Sequence, residues 1–440
     1  MGNAKAITVA YDASVLGRGY LDIRSRSGIF RAIESLLYAL VEQEVIHLET
    51  VALANAQDYW DDIVVRQYFK DKDDIGLCHY MSIYSSRLNA SNFYGDLSEY
   101  QRQLITLVQK SRFFPLYRLA FAAKKILWPI LKVDLSYVFS ASAYQVYHSP
   151  FFALPGQNLT GDLARILTIY DLIPVLYPEF TSKKIHQTFQ GILSSLDTAQ
   201  DWVICDSQNT RNDLCSYLSI DPNRVFVTPL AADDHFFPIN NKHEIDAVLN
   251  QHRIPLHPYL LSLCTLEPRK NLVFLIKCFS KLVAETPNFD LNLVLVGAIG
   301  WKNQALFNEL LGQDSALRSR IILAGYIPDS DLSAVYSGAT AFLYPSLYEG
   351  FGLPPLEAMQ CGIPVITSNT SSLPEVVGDA GIMVDPTDED AFCQAILNLL
   401  KDQTLHADLS QRGLARAKQF SWAKCAQQTV EVYKIAAENR

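Results

Sequence analysis

The sequence predicts an α/β protein built from two doubly wound domains that face each other across a cleft. Two observations lead there. Short apolar runs alternate with helical patterns along the chain, the pattern of parallel strands joined by crossover helices. A polar stretch over roughly 236–255 separates two such series. Length adds a third reason, since 440 residues exceed one ordinary core and suit two of about 200 each.

The first domain is assigned to 1–235. ITVAYD (7–12) is its first strand, and GIFRAIESLLYALV (28–41) reads as the helix that follows. VYHSP (146–150), RILTIYD (165–171), WVICDS (202–207) and RVFVTPL (224–230) are further strands. Ser207-Gln208-Asn209-Thr210 caps a helix between the last two. The second domain is assigned to 236–420, joined through 236–255. Its strands are YLLSLCT (259–265), LNLVLVG (291–297), RIILAGY (320–326), TAFLYP (340–345), PVITS (364–368) and GIMVDP (381–386). These runs do not alternate, which fits strands buried on both faces. A last helix over 421–440 has no strand after it and is assigned back onto the first domain. Ligands of such sheets bind beyond the C-terminal ends of the strands, where Arg269-Lys270, Gly297, Tyr326 and Glu349 all fall.

Composition narrows the class. Hydrophobic residues make up 49% and charged residues 19%, an ordinary globular balance, and a net charge of −9 leaves no global nucleic-acid footprint. The eight cysteines form no CxxC pair and no zinc spacing, so they read as buried thiols in a reducing compartment. The first residues run straight into a strand without an apolar leader, and Met1-Gly2 lacks the Ser or Thr at position 6 that N-myristoylation wants. No stretch is long and apolar enough to span a membrane. A cytoplasmic protein is expected. One window departs from the acidic average. Between Tyr100 and Val133 lie seven basic residues and no acidic one, interleaved with Phe113, Phe114, Tyr117, Phe121 and Trp128. Residues 100–133 are therefore a candidate contact with anionic headgroups at the inner face of the membrane, or with an anionic acceptor. The competing reading is core aromatics beneath a solvated lysine face.

The richest segment is SLYEGFGLPPLEAMQCGIP (346–364). An apolar run, AFLY, precedes it, and Gly350 and Gly352 allow backbone angles that side chains oppose. Proline suits a first helical turn, so a helix is expected from about Pro354 or Pro355 until Gly362. Strand, tight glycine turn and helix then follow one another. Glu349 stands on the turn and Glu357 in the helix. Free N–H groups at such a turn make a natural seat for phosphate or another anion. For either glutamate alone, a simple dipole or loop role would do. The whole constellation points to a ligand site.

Taken with TLEPRKNL (265–272), LAGYIPDSDL (323–332), SGIFR (27–31) and FVTPLAADDHFFP (226–238), the stretch from Ser346 to Pro386 resembles the retaining nucleotide-sugar glycosyltransferases of glycosyltransferase family 4. Their signature is Glu-x7-Glu with Gly-Phe-Gly after the first Glu. The resemblance is specific over 259–386 and looser before it. It implies the GT-B fold, two Rossmann-like domains, and donor binding by the second. Glu357 would hold the ribose hydroxyls and Glu349 those of the donor sugar. The backbone of Gly350, Phe351, Gly352 and Leu353 would hold the sugar and distal phosphate. Arg269 and Lys270 would stabilise the leaving diphosphate, Tyr326 and Ile327 would read the base, and Gly28 would approach the diphosphate from the first domain. Retention without a well-placed nucleophile implies same-face attack, with no metal and no cofactor beyond the donor. Asp71-Lys72-Asp73 has the spacing of a metal motif but reads as surface.

Two departures stand out. Tyr170-Asp171 replaces the family's His-Asp, and Cys264-Thr265 replaces Gly-Arg, leaving Arg269 and Lys270 more of the phosphate work. Asp171 is a candidate for orienting acceptor or sugar, or a simple turn cap. His148 is a candidate substrate contact or a satisfied structural histidine. Glu375 is expected to cap the helix that follows it. The resulting expectation is hexosyl transfer, glucose first, from a UDP-sugar to a glycan or lipid-linked acceptor in exopolysaccharide or O-antigen synthesis. The alternative is a catalytically inactive GT-B scaffold subunit of a glycan-assembly complex. A dinucleotide oxidoreductase fits poorly, because neither glycine cluster has the required spacing.

Overall fold

The computed structural model describes residues 6–21, 28–53, 60–77, 82–84, 136–286 and 290–440, so the basic aromatic window over 100–133 lies outside the described residues. The strands are β1 (Ile7–Asp12), β2 (Ile46–Val51), β3 (Ser82–Tyr84), β4 (Ser136–Val138), β5 (Val146–Ser149), β6 (Ala164–Ile169), β7 (Trp202–Cys205) and β8 (Val225–Val227), then β9 (Tyr259–Leu263), β10 (Asn292–Val296), β11 (Ile321–Gly325), β12 (Ala341–Tyr344), β13 (Val365–Ser368) and β14 (Ile382–Val384). They form two six-stranded sheets, ordered β2-β1-β5-β6-β7-β8 and β11-β10-β9-β12-β13-β14, plus a β3-β4 pair. Every pairing within the two large sheets is parallel, from Val9 opposite Val146 to Phe342 opposite Val365. Both are doubly wound α/β sheets.

The central strands are buried at every position, as in β6, β10, β12 and β13. That burial is what makes them readable as unbroken apolar runs. β11, at an edge, is buried only at Ile321 and then alternates between half-buried and exposed positions. β2, the other edge, carries His47 and Glu49 on its open side, and the sequence reading assigned no strand there. The joining stretch also needs correction. It holds a helix, Lys242–Gln251, capped by the Asn241 side chain, which accepts from the His243 N–H. Its polarity reflects one solvated face; Leu249 is buried, and the helix packs on the helix Asp329–Ser337. The helix Trp422–Glu438 lies against the helix Gly28–Val41 and against β1, β5 and β6. The chain therefore ends on the first sheet after crossing from the second.

Candidate active site

β9 and β12 are neighbours, with Ala341 beside Leu260. The strand order of the second sheet reverses between them, which puts the loops beyond their C-terminal ends at a switch point, the habitual ligand site of such sheets. Pro268-Arg269-Lys270 form a short 3-10 turn after β9, and the Glu349 loop follows β12. The two loops meet. Lys270 Nζ donates to Glu349 Oε1 at 2.6 Å, and Arg269 Nη1 lies 2.8 Å from Glu349 Oε2. Ser346 Oγ donates to Glu349 Oε1 at 2.5 Å, and Tyr344 Oη receives Lys270 Nζ at 2.6 Å. Arg269 also donates to the Tyr348 carbonyl at 2.6 Å and to Glu267 at 2.7 Å. Burial works to raise the Glu349 carboxyl, but Arg269 and Lys270 overcome it and hold it at about 2. Glu349 is thus an ionised acceptor at every working pH, locked between two cations.

The glycine turn is fixed from the first domain. Ser207 Oγ donates to the Gly350 carbonyl at 2.6 Å, and Thr210 Oγ1 to the same oxygen at 3.3 Å. A Cβ on Gly350 would stand 1.9 Å from the Tyr170 carbonyl and 2.9 Å from the Asp171 Cβ. Only glycine permits that approach. Gly352, at φ 121°, then turns the chain into the helix Leu353–Gln360, which starts one residue before Pro354. Its prolines sit in the first turn, where no N–H is needed. Among the described residues none accepts a hydrogen bond from the N–H of Gly350, Phe351 or Gly352. These donors and the free N–H end of the helix make an anion seat. Phe351 turns its ring inward, edge-on to Phe420 at 5.9 Å, so only its backbone serves the turn.

Asp171 lies two residues beyond β6, on the opposite wall. Its Oδ1 accepts the Ile173 N–H at 2.8 Å, a turn cap. Burial raises its carboxyl, opposed by Arg269 and Lys270 and reinforced by Glu349. It therefore lies within the field of the cluster as well as capping its own turn. Tyr170 is buried, and its carbonyl rests on the turn through Thr210 Oγ1 at 3.3 Å. The structure takes His148 out of the site. It is fully buried, its Nδ1 is 2.7 Å from Tyr433 Oη and its Nε2 2.8 Å from Thr168 Oγ1, leaving no nitrogen for a substrate. Burial alone lowers it to about 3.

Glu357, also buried, accepts Tyr336 Oη at 2.9 Å on Oε2. Its Oε1 accepts Arg31 Nη2 at 3.0 Å, across the cleft. Arg31 belongs to the first turn of Gly28–Val41, and Gly28 there faces Leu353, 3.6 Å from the place of its Cβ. Tyr326-Ile327 follows edge strand β11, with the Tyr326 ring exposed and Ile327 buried. They lead into the helix whose Asp329 lies 3.7 Å from Arg31.

Sequence reasoning missed three groups here. Arg31 lies within SGIFR, a run that points to the site only through Gly28. Ser371 Oγ accepts the Glu349 N–H at 2.9 Å, and Ser372 Oγ donates to the Glu349 and Phe351 carbonyls at 3.0 and 2.6 Å, fixing the turn from below. Glu375 does not cap its own helix. Its two oxygens accept the Gln208 and Asn209 N–H groups, both at 2.7 Å, and so cap the helix Gln208–Tyr217 of the first domain. Asn209 also donates to Tyr348 Oη at 2.8 Å, and that hydroxyl donates to Asp213. The signal available was the Ser-Ser-Leu-Pro-Glu run over 371–375, just beyond the next strand.

The arrangement suits binding of a diphosphate and a polyhydroxyl group side by side. Comparison with known proteins gives the family and the fold. Residues 245–416 match the family described as glycosyl transferases group 1. The chain is 38% identical over 291 residues to O-antigen chain mannosyltransferase B of Escherichia coli, covering 66% of this chain and 74% of that protein. It is 31% identical over 315 residues to the serotype-specific mannosyltransferase WbdA of Escherichia coli, covering 70% of this chain but 38% of that longer protein. Two solved structures share the whole architecture. Sucrose-phosphate synthase of Thermosynechococcus elongatus superposes with a TM-score of 0.60 at 20% identity over 98% of both chains. HepE of Anabaena, solved with UDP and glucose, does so with a TM-score of 0.61 at 16% identity over 98% of this chain and 100% of that one. The chain belongs to the glycosyl transferases group 1 family and carries its two-sheet GT-B fold.

Proposed function

We propose that the chain is a retaining hexosyltransferase that moves mannose from a nucleoside diphosphate donor to a glycan or lipid-linked oligosaccharide acceptor in O-antigen-type polysaccharide synthesis. The observation that carries this reading is the Glu349–Arg269–Lys270 cluster beside the free N–H groups of the glycine turn. Arg269 and Lys270 meet the charge that grows on the leaving diphosphate, and a charge-assisted bond to a developing oxyanion strengthens as the reaction proceeds. Glu349 accepts hydroxyls of the sugar. The departing phosphate oxygen takes the proton of the acceptor on the same face, so the protein supplies positioning and electrostatics rather than a base. No metal is called on, because the two cations and the N–H groups carry the diphosphate charge.

Mannose is placed ahead of glucose because the relatives at 38% and 31% identity are named mannosyltransferases. The UDP part of the UDP-glucose expectation has support from HepE, which shares the fold and was solved with UDP and glucose. The test is a panel of UDP-, GDP-, ADP- and TDP-sugars, with mannose and glucose among them, followed by NMR for nucleoside diphosphate release. Turnover of a mannose donor supports the reading. Turnover of a glucose donor alone removes the mannose assignment. Survival of every donor in the presence of an oligosaccharide acceptor, with none bound, favours the scaffold.

A further inference from the structure

We propose that Arg31 is a specificity-setting residue of the donor site, an internal competitor that a nucleotide must displace from Glu357. The proposal rests on the assignment of Glu357 to the donor ribose made above. Three observations carry it, together with the expected geometry of a bound ribose. Glu357 is only 1% exposed, so its charge needs partners inside the protein. One oxygen takes Tyr336 Oη from its own domain. The other takes the Arg31 guanidinium from the opposite domain at 3.0 Å. A ribose diol held by both carboxylate oxygens, the usual bidentate arrangement, would meet Arg31 on the second of them.

The guanidinium is also well placed to leave. It remains 25% exposed, and its other terminal nitrogen is 3.7 Å from Asp329, whose side chain is 45% exposed. The face of Phe236 stands 5.9 Å from its carbon. Asp329 opens the helix directly after Tyr326-Ile327, where the base is assigned. Sliding from Glu357 towards Asp329 keeps the cation paired while the carboxylate is released. A ligand that offers hydroxyls to Glu357 replaces the lost bonds. A ligand without them has nothing to exchange for the Arg31 bond, so moving the guanidinium aside would leave a buried carboxylate short of partners and binding is disfavoured. Arg31 thus makes entry conditional on a ribose, and it links the two domains while it waits.

The experiment is titration calorimetry of the full chain with UDP and with GDP at 150 mM salt, for the wild type, Arg31→Ala and Arg31→Lys. Removing the competitor should tighten binding about fivefold in Arg31→Ala, the scale of one partly exposed ion pair. Arg31→Lys, which keeps the charge but loses the fork, should fall between the two. Unchanged or weaker binding in Arg31→Ala overturns the proposal, and weaker binding there with wild-type binding in Arg31→Lys would recast Arg31 as a phosphate contact. If Arg31→Ala does not fold, Arg31→Lys alone decides by the direction of its shift. A wild type that binds neither nucleotide refutes the donor-site reading itself, a failure separate from that of Arg31.

Discussion

Replacing Gly350 by alanine tests how tightly the reactive turn depends on the facing domain. The new Cβ would lie 1.9 Å from the Tyr170 carbonyl, and an ordinary contact is 3.4 Å or more, so turn and carbonyl must separate by about 1.5 Å. That movement pulls the Gly350 carbonyl away from Ser207 and Thr210 and drags the adjoining Glu349. A displacement of about 1 Å at a reacting centre costs on the order of 100-fold in rate. Overpacking of this kind costs about 1–3 kcal/mol in stability. Gly350→Ala should therefore keep its fold, melt a few degrees lower and lose about 100-fold in kcat, read by nucleotide release and thermal circular dichroism. Gly191→Ala is the control. It lies in the helix Lys183–Leu193 with nothing within 4 Å of its Cβ, and it should gain about 0.5–1 kcal/mol without altering kcat. A Gly350→Ala enzyme with wild-type kcat would show that the turn does not depend on its contact with the Tyr170 carbonyl.

Further outcomes follow from the same geometry. Glu349 has a carboxyl held at about 2 against an ordinary 4.5, so its stabilisation is complete above pH 4.5 and drains away as pH falls through 2. That is worth on the order of 3 kcal/mol, and acid unfolding of Glu349→Gln should be flatter across this window. His148 is held at about 3 from an ordinary 6.5, so its contribution is whole above pH 6.5 and declines as pH drops towards 3. His148→Ala should lose about 1–3 kcal/mol of stability by chemical denaturation, from two orphaned partners, while donor KM stays within about twofold. A large KM change would return that histidine to the site. Glu375→Ala strips the cap and the charge from the N-terminus of Gln208–Tyr217. It should cost about 1–2 kcal/mol and widen the particle in small-angle scattering. An unchanged radius would deny Glu375 a part in holding the domains together.

The sequence made the twin sheets legible because their central strands are buried on both faces and so read as unbroken apolar runs. β2 escaped because an edge strand with Glu49 on its open side carries half that signal. The helix Lys242–Gln251 escaped for a similar reason, its solvated face reading as linker. In the site, Glu349 and Glu357 stood out because they share one strand, turn and helix segment, and Arg269 and Lys270 because their loop, 79 residues from Glu349 in the case of the lysine, also follows a strand of the second sheet. Arg31 and Glu375 did not. Their partners lie 326 and about 166 residues away, on the other domain, and only the docking of the two domains brings them together. His148 shows the converse. A histidine ending a cleft-facing strand invites a catalytic reading, yet the helix Trp422–Glu438, packing back from the far end of the chain, supplies Tyr433 and closes it off.

The central claim is that Glu349, Arg269 and Lys270 drive transfer with retention. The measurement that tests it most directly is the NMR time course of the first turnovers with the accepted donor, for the wild type and Glu349→Ala. The first sugar released or transferred should keep the anomeric configuration of the donor, and Glu349→Ala should be slower by about 100- to 1,000-fold. An inverted first product, or a Glu349→Ala enzyme as fast as the wild type, would contradict that claim.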